Sequence, residues 1–149
     1  MLIHHASQLI TLQGGPQRGT DLGRLGLIEN GAVLVRGETI AAIGDSADMI
    51  RQYPDEPCLD AGGRVVMPGF VDPHTHLVWV GDRAAEFEMR LEGRTYLDIL
   101  AAGGGILSTV RATRAASLEK IKSETRERAE MILKLGTTTA EAKTGYGLE

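Results

Sequence analysis

The sequence predicts a mixed α/β chain in which a small β-rich part precedes the start of a series of strand and helix units. Short β-compatible runs separated by turn residues fill residues 1–66. Further along, a segment with helical periodicity at 117–135 lies between two strand-like segments, 70–80 and 137–141. Because alternating strands and helices build a parallel sheet, we expect residues 67–149 to form a separate, βα-type part of the chain.

The β-rich part is predicted to be an antiparallel meander. Residues 6–12 are apolar and β-compatible, and the Gly-rich stretch after them is a loop. Three further strands are expected, at residues 27–29, 32–35 and 39–43. Asn30 and Gly31, between the first two of these, are the pair best suited to the positive φ angles of a type I′ hairpin turn. Residues 36–38 provide a second tight connection.

The elements after this meander are expected in a fixed order. Residues 46–52 are predicted to form a short helix and residues 64–67 a strand that stops at Pro68 and Gly69. After the apolar strand at 70–80, residues 96–102 are predicted to be helical. The clearest helix then begins at Ser117 as N-cap and ends at Gly136, which suits the left-handed conformation after a helix.

The composition excludes several classes of protein. Lys and Arg are spread along the chain, the net charge is −4, and the richest stretch, 120–134, alternates in sign, which predicts a solvated helix face. No nucleic-acid partner is therefore expected. The single cysteine, Cys58, cannot form an internal disulfide, which fits a reducing compartment. No signal peptide and no apolar run of about 18 residues is present, so we predict a cytoplasmic protein without a membrane partner.

Asp72, His74 and His76 interrupt the apolar strand at every second position. Side chains at i and i+2 lie on one face of a strand, so the two imidazoles are expected to project together, close enough to share one cation. Zinc and iron both accept imidazole nitrogen, and a catalytic site keeps a position open for water. On the residues alone, two hydrogen-bonded histidines in a barrel interior are an equally good interpretation. Asp72 is interpreted as a carboxylate that orients a neighbour rather than as a ligand.

The nine residues 68–76, PGFVDPHTH, follow the β-rich part and resemble the first-barrel-strand signature of the amidohydrolase superfamily. In that superfamily the two histidines bind the catalytic metal at the C-terminal end of the strand. The resemblance therefore implies the start of a (β/α)₈ TIM barrel preceded by a small N-terminal β-domain. It also implies that His74 and His76 are metal ligands for one Zn²⁺ or Fe³⁺ per active site.

The segments after this signature resemble the imidazolonepropionase family within that superfamily. They are residues 76–83, 86–87, 90–91, 96–106 and 143–148, with one departure at Thr144, where the family has Ser. The resemblance implies a hydrolase that uses metal-activated water to open the ring of 4-imidazolone-5-propanoate. The product would be N-formimidoyl-L-glutamate, in histidine degradation. Arg83 matches the family's substrate-binding arginine, whose guanidinium can hold a carboxylate with two parallel hydrogen bonds, and Tyr146 matches its substrate-contacting tyrosine.

Several of these residues also have a plainer interpretation. Arg83 could be a solvated loop charge, and Tyr146, between two glycines, could be a turn residue that packs its ring. Lys143 is interpreted as structural, because the lysine that bridges two metals in some amidohydrolases belongs to a later strand. His4 and His5 are expected to be surface residues.

The chain is expected to be the N-terminal portion of a longer enzyme, because a closed barrel takes about 250 residues. The remaining metal ligands, a His and an Asp, and the acid–base residues are expected beyond Glu149, so no catalytic residue is assigned and the isolated piece is expected to be inactive. The resemblance suggests a homodimer. Two alternatives stay open: another amidohydrolase, either a purine or pyrimidine aminohydrolase or a hydantoinase-like enzyme, and a non-catalytic amidohydrolase-like scaffold.

Overall fold

The computed structural model describes residues 1–148 and divides into two compact units, the first comprising Met1–Pro68 and the second beginning at Gly69. The first unit is built on a five-stranded sheet and the second on a parallel strand pair with helices, so the predicted α/β class is confirmed. Among the described residues, no helix combines the length and the apolar composition that crossing a bilayer requires.

The sheet of the first unit is mixed rather than purely antiparallel. Its strands are β1 (Leu2–Ile10), β2 (Leu27–Arg36), β3 (Thr39–Asp45), β4 (Cys58–Asp60) and β5 (Val65–Val66). β1, β2 and β3 pair antiparallel, whereas β4 and β5 both run parallel to β1. The predicted meander is wrong for the last two strands, because the helix α1 (Ser46–Gln52) carries the chain across before β4 begins, and a parallel pair requires such a crossover.

The hairpin predicted at Asn30 and Gly31 is wrong, since β2 continues through both residues. Asn30 does have a positive φ of 46°, as a tight turn would require. Gly31, however, pairs with Ala6 on one side and Asp45 on the other. A Cβ on Gly31 would lie 2.4 Å from that of Leu9. Partner strands on both sides therefore override the local turn propensity, and the two residues bend a strand instead of ending it.

Two local predictions in this unit are confirmed. Gly37 and Glu38 form a two-residue connection between β2 and β3, with Gly37 at a φ of 58°. The short helix forms as α1, and the carboxylate of Asp45 caps it by accepting backbone N–H groups of Ala47 and Asp48 at 2.8 and 3.3 Å. One face of α1 closes the core of the unit, which consists of Leu2, Ala32, Leu34 and Met49.

The second unit contains a parallel pair of strands with helices between them. Its elements are β6 (Phe70–Thr75), α2 (Ala84–Leu91), α3 (Tyr96–Ala101), α4 (Ile106–Ala115), α5 (Leu118–Lys134) and β7 (Thr137–Ala142). β6 pairs with β7, which is the strand–helix–strand order that the sequence predicts. Neither α2 nor α4 was expected, since eight- and ten-residue helices among glycines show little periodicity.

The apolar strand predicted at 70–80 ends at Thr75. The strand ends there because its hydrogen-bonding partner, β7, pairs with β6 only as far as Thr75. After Thr75, side chains rather than a strand satisfy the backbone groups. The N–H of Val80 donates to Thr113 Oγ1 at 3.1 Å, and the carbonyl of Leu77 accepts from Arg128 Nε at 2.9 Å. Residues 77–80 are therefore an anchored loop rather than a strand.

The helix predicted at 117–135 is confirmed as α5. Ser117 caps it by accepting the N–H of Lys120 at 3.3 Å, and Gly136 follows it with a φ of 97°. Of the predicted apolar face, Ile121 and Ile132 are half-buried, whereas Leu118 and Leu135 at its two ends remain exposed.

Candidate metal and substrate site

The ends of β6 and β7 bring two chain segments to one edge of the parallel pair. Thr75 lies opposite Ala142, and the N–H of Lys143 donates to the carbonyl of Thr75 at 2.9 Å. Both strands therefore stop at the same level, and the residues that follow each strand meet there. In sheets of this kind, the carboxyl ends of parallel strands are where binding sites form.

His74 and His76 lie side by side at this edge. The centroids of their rings are 5.7 Å apart, with an angle of 76° between the ring planes. His74 is exposed and His76 is half-buried. Asp72 accepts the backbone N–H of His74 on Oδ1 at 3.1 Å, so this carboxylate holds the backbone beside the pair, while its role in orienting a ligand stays a prediction. The structure thus brings the two imidazoles together, while their role as metal ligands stays a prediction.

The ring of His76 is closely packed against the segment that follows β7. Its Nδ1 is buried and has no hydrogen-bond partner among the described residues, so no protein group there fixes the tautomer. Gly145 packs directly against the ring, since a Cβ at that position would lie 2.4 Å from Nδ1. Two imidazoles are a ligand set that zinc and iron both accept. The residues present therefore fit the metal that the resemblance implies.

Tyr146 joins the same cluster from the segment that follows β7. Its ring centroid is 5.7 Å from that of His76 and 6.4 Å from that of Trp79. The Tyr146 side chain is half-buried, and its aromatic face forms one wall beside the imidazole pair. This position agrees with a substrate-contacting residue, whose role stays a prediction.

Arg83 occupies a different place, at the start of α2. Its Nε donates to Thr109 Oγ1 at 3.0 Å, and the side chain is otherwise exposed. With Glu86, Phe87 and Arg90 it lines a cavity of about 270 Å³. Within the described part of the chain, Arg83 forms no ion pair and no recorded contact with the histidine–tyrosine cluster. The structure therefore leaves its guanidinium terminus available but does not place it in that cluster.

Arg128 is a residue that the sequence analysis missed. Its guanidinium carbon lies 4.0 Å from the centroid of the Trp79 ring, which is a cation–π contact. It donates to the carbonyl of Leu77 at 2.9 Å and also to that of Trp79, and it pairs with Glu124 at 3.6 Å. The prediction of a solvated face for 120–134 is wrong here. The signal for this role is that the carbonyls of Leu77 and Trp79 have no partner strand among the described residues, and a sequence does not show which carbonyls lack one.

Comparison with known proteins identifies two family models in the chain. The model described as "Imidazolonepropionase-like composite domain, bacteria" matches residues 31–55, and the model of the amidohydrolase family matches residues 58–134. The second match covers more than half of the chain and includes His74, His76 and Arg128.

Similar curated proteins span the whole chain. An imidazolonepropionase of Chloroflexus aggregans is 51% identical over 151 residues, covering 100% of this chain and 35% of the relative. One of Herpetosiphon aurantiacus is 49% identical, covering 97% of this chain and 35% of the relative. One of Paracoccus denitrificans is also 49% identical, with 99% and 35% covered. The chain therefore spans about a third of the length of the relatives it matches.

Solved structures show the same fold at lower identity. The guanine deaminase of E. coli has a TM-score of 0.57 and 22% identity, covering 95% of this chain and 30% of that protein. The aminofutalosine deaminase of Helicobacter pylori has a TM-score of 0.54 and 20% identity, with 95% and 29% covered. At these identities the likeness concerns the fold alone, and it agrees with the start of a barrel.

Proposed function

We propose that this chain, which belongs to the amidohydrolase family, contributes the N-terminal β-domain and the first metal-binding strand of an imidazolonepropionase. The reaction is the hydrolysis of 4-imidazolone-5-propanoate to N-formimidoyl-L-glutamate in histidine degradation. The observation that carries the proposal is the cluster of His74, His76 and Tyr146 at the ends of two parallel strands. It occurs in a chain that is 51% identical along its length to an imidazolonepropionase.

His74 and His76 would hold one Zn²⁺ or Fe³⁺. When bound, the metal supplies a Lewis acid that polarises the ring carbonyl and lowers the pKa of water toward neutrality. The chain's own residues arrange the pair. Asp72 holds the backbone of His74, and Gly145 leaves the space that the ring of His76 occupies. The remaining ligands and the acid–base residues belong, in this proposal, to the other two thirds of the enzyme.

Arg83 and Tyr146 would bind the substrate. Because Nε of Arg83 is engaged by Thr109, its two terminal nitrogens remain to hold the propanoate carboxylate with parallel hydrogen bonds. Tyr146 stands beside His76 and would pack its ring against the imidazolone. Residues 1–66 would be the N-terminal β-domain and residues 67–149 the start of the barrel, and the complete enzyme would be a cytoplasmic homodimer.

A chimera tests this proposal. In it, this chain replaces the matching N-terminal third of the Chloroflexus aggregans imidazolonepropionase, and hydrolysis of 4-imidazolone-5-propanoate is measured. We expect the chimera to be active, its His76→Asn variant to be inactive, and the 149-residue chain by itself to be inactive. A folded chimera that binds metal without hydrolysing this substrate would favour another amidohydrolase. A folded chimera without metal would favour the scaffold.

The role of Arg83 has a sharper test in the same chimera. Arg83→Gln should raise KM for the acidic substrate by about tenfold or more, since a charged hydrogen-bonded pair contributes roughly 1.5–3 kcal/mol. Arg90→Gln, which changes a second arginine of the same cavity, is the matched control. An unchanged KM in Arg83→Gln would favour an amidohydrolase whose substrate has no carboxylate tail.

A further inference from the structure

A second pair of histidines lies in the first unit, outside the site described above. His4 and His5 are neighbours in sequence, yet their rings stack edge to face with centroids 4.4 Å apart and with their Nδ1 atoms 3.0 Å apart. Consecutive residues of a regular strand point to opposite faces of a sheet. A local departure from strand geometry must therefore bring these two rings together.

That departure is a β-bulge. Ile3 pairs with Val33 and Ala6 with Gly31, so three steps along β1 match two steps along β2 and one residue of β1 is extra. His5 has a φ of 54°, in the left-handed region that non-glycine residues seldom occupy. Bulges of this kind change the direction of a side chain, and strained backbone persists only where the surroundings hold it.

The surroundings hold the bulge from both sides. Ser46 is fully buried, accepts the N–H of His5 at 2.8 Å and donates to the carbonyl of Gly31 at 2.9 Å. The carbonyls of His4 and His5 accept the N–H groups of Ala61 and Gly63 at 2.8 and 2.9 Å. Both carbonyls are thus satisfied by the segment that follows β4.

A carboxylate completes the cluster. Asp60 lies opposite His4 in the parallel pairing of β1 with β4. Its Oδ1 accepts the N–H of Gly62 at 2.7 Å, which orients Oδ2 to within 3.2 Å of His5 Nδ1. One donor atom from each of His4, His5 and Asp60 lies within 4.8 Å of the other two.

Two of these three separations are close to those in a metal's ligand shell. Tetrahedral bonds of 2.0–2.1 Å to zinc place neighbouring donor atoms roughly 3.3 Å apart. The observed separations of 3.0 Å between the imidazoles and 3.2 Å between His5 and Asp60 are close to that value. Two nitrogens and one oxygen favour a dication such as Zn²⁺ over Ca²⁺ or Mg²⁺, which prefer oxygen ligands.

We propose that His4, His5 and Asp60 form a second binding site for a zinc-like transition-metal dication, independent of His74 and His76. Three protein ligands would leave one position for water. His5 also borders an open depression of about 580 Å³, lined with Gln8, Glu29 and Asn30, through which an ion can enter.

Zinc titration of the 149-residue chain by calorimetry tests this proposal. The chain carries His74→Gln and His76→Gln, so that the N-terminal site is the only histidine pair left. We expect about one equivalent of Zn²⁺ to bind, and His4→Gln or Asp60→Asn to weaken binding by at least about tenfold. Asp55→Asn, at an exposed nearby aspartate, is the matched control and should leave binding unchanged.

A second measurement covers the case in which the doubly substituted chain does not fold. His4→Gln is introduced into the otherwise unaltered chain, and the number of zinc equivalents is compared with that of the unaltered chain. Loss of one equivalent supports the site. Equal stoichiometry and affinity in both chains, or tight binding of Mg²⁺ that competes with zinc, would overturn the proposal.

Discussion

The two histidine pairs of this chain reach the same arrangement by different backbone routes. His74 lies in β6 and His76 just beyond its end, and their rings lie together without a left-handed φ at either residue, although the β6–β7 register shifts between Asp72 and Thr75. His4 and His5 are adjacent, and only an extra residue in β1 with a left-handed φ brings their rings together. The comparison teaches that side chains two residues apart come together without a left-handed φ. Aligning adjacent ones requires neighbouring elements that hold the strain.

The largest effect is expected at the pair His74 and His76, where Gly145 packs closely against the ring of His76. Gly145→Ala adds a Cβ 2.4 Å from His76 Nδ1, so the ring must move. We expect the chimera to lose about 100-fold in kcat/KM, the scale on which a misplacement of about 1 Å acts. Gly147→Ala is the control, because nothing lies within 4 Å of a Cβ there. Equal activities of the two variants would show that the ring of His76 needs no fixed position.

Removing the anchor of the loop after β6 should have a smaller effect. Arg128→Gln deletes the cation–π contact with Trp79 and the hydrogen bonds to two loop carbonyls. We expect activity of the chimera to fall about tenfold, as for other residues that position ligands indirectly. In the isolated chain, emission of Trp79, its one tryptophan, should also change.

The control for this prediction is Arg126→Gln, two residues earlier on α5 and exposed. If Arg126→Gln lowers activity and shifts the emission as much as Arg128→Gln does, the effect reflects the loss of charge on the helix. The anchoring role of Arg128 would then be refuted.

The support that Ser46 gives to the bulge at His4 and His5 is tested by stability. Ser46→Ala leaves the N–H of His5 and the carbonyl of Gly31 without their buried partner. The free energy of unfolding of the chain should fall by about 1–3 kcal/mol, the usual cost of an unsatisfied buried group. Urea denaturation measures this loss. Ser7→Ala, at an exposed position of β1, is the control and should change the free energy of unfolding little. A similar loss in Ser7→Ala would contradict the role of Ser46 in supporting the bulge.

The smallest effect concerns a helix cap in the second unit. Thr95 is the N-cap of α3, and its hydroxyl and its backbone N–H both donate to the carboxylate of Asp98 at 2.8 Å. These hydrogen bonds, the one from the hydroxyl first, lower the pKa of Asp98 below its ordinary value of 3.8. A carboxyl whose folded pKa is lowered stabilises the fold above its unfolded pKa, and this stabilisation is lost as pH falls through the folded pKa. Asp98→Asn should therefore flatten the decline in stability below pH 3.8. Thermal unfolding measured from pH 5 to 2.5 checks this, and an unchanged acid limb would count against the cap.

The sequence was sufficient for features that depend on local periodicity. The alternation of Asp72, His74 and His76 predicted which rings lie together, and the apolar spacing after Ser117 predicted α5. Asn30 and Gly31 show the opposite case, since the positive φ predicted for both residues occurs only at Asn30, and it occurs in a paired strand rather than in a turn. A positive φ serves equally in a turn and in a bend of a paired strand, and only the neighbouring strands decide between them.

The features that escaped prediction depend on contacts between residues distant in sequence. Arg128 is separated by about fifty positions from the carbonyls it binds, and Asp60 by a similar interval from His5. The bulge itself arises from the register between β1 and β2. No sequence periodicity identifies such residues, because their roles depend on contacts with residues distant in sequence rather than on their sequence neighbours.

The bridge from Arg128 to the carbonyls of Leu77 and Trp79 has a consequence for protein engineering. Transplanting the loop at 77–80 between related enzymes without α5 would leave those carbonyls without the donor that holds them. The loop at 77–80 and α5 should therefore be exchanged together. Libraries that recombine related sequences should place their crossover points before Gly69 or after β7.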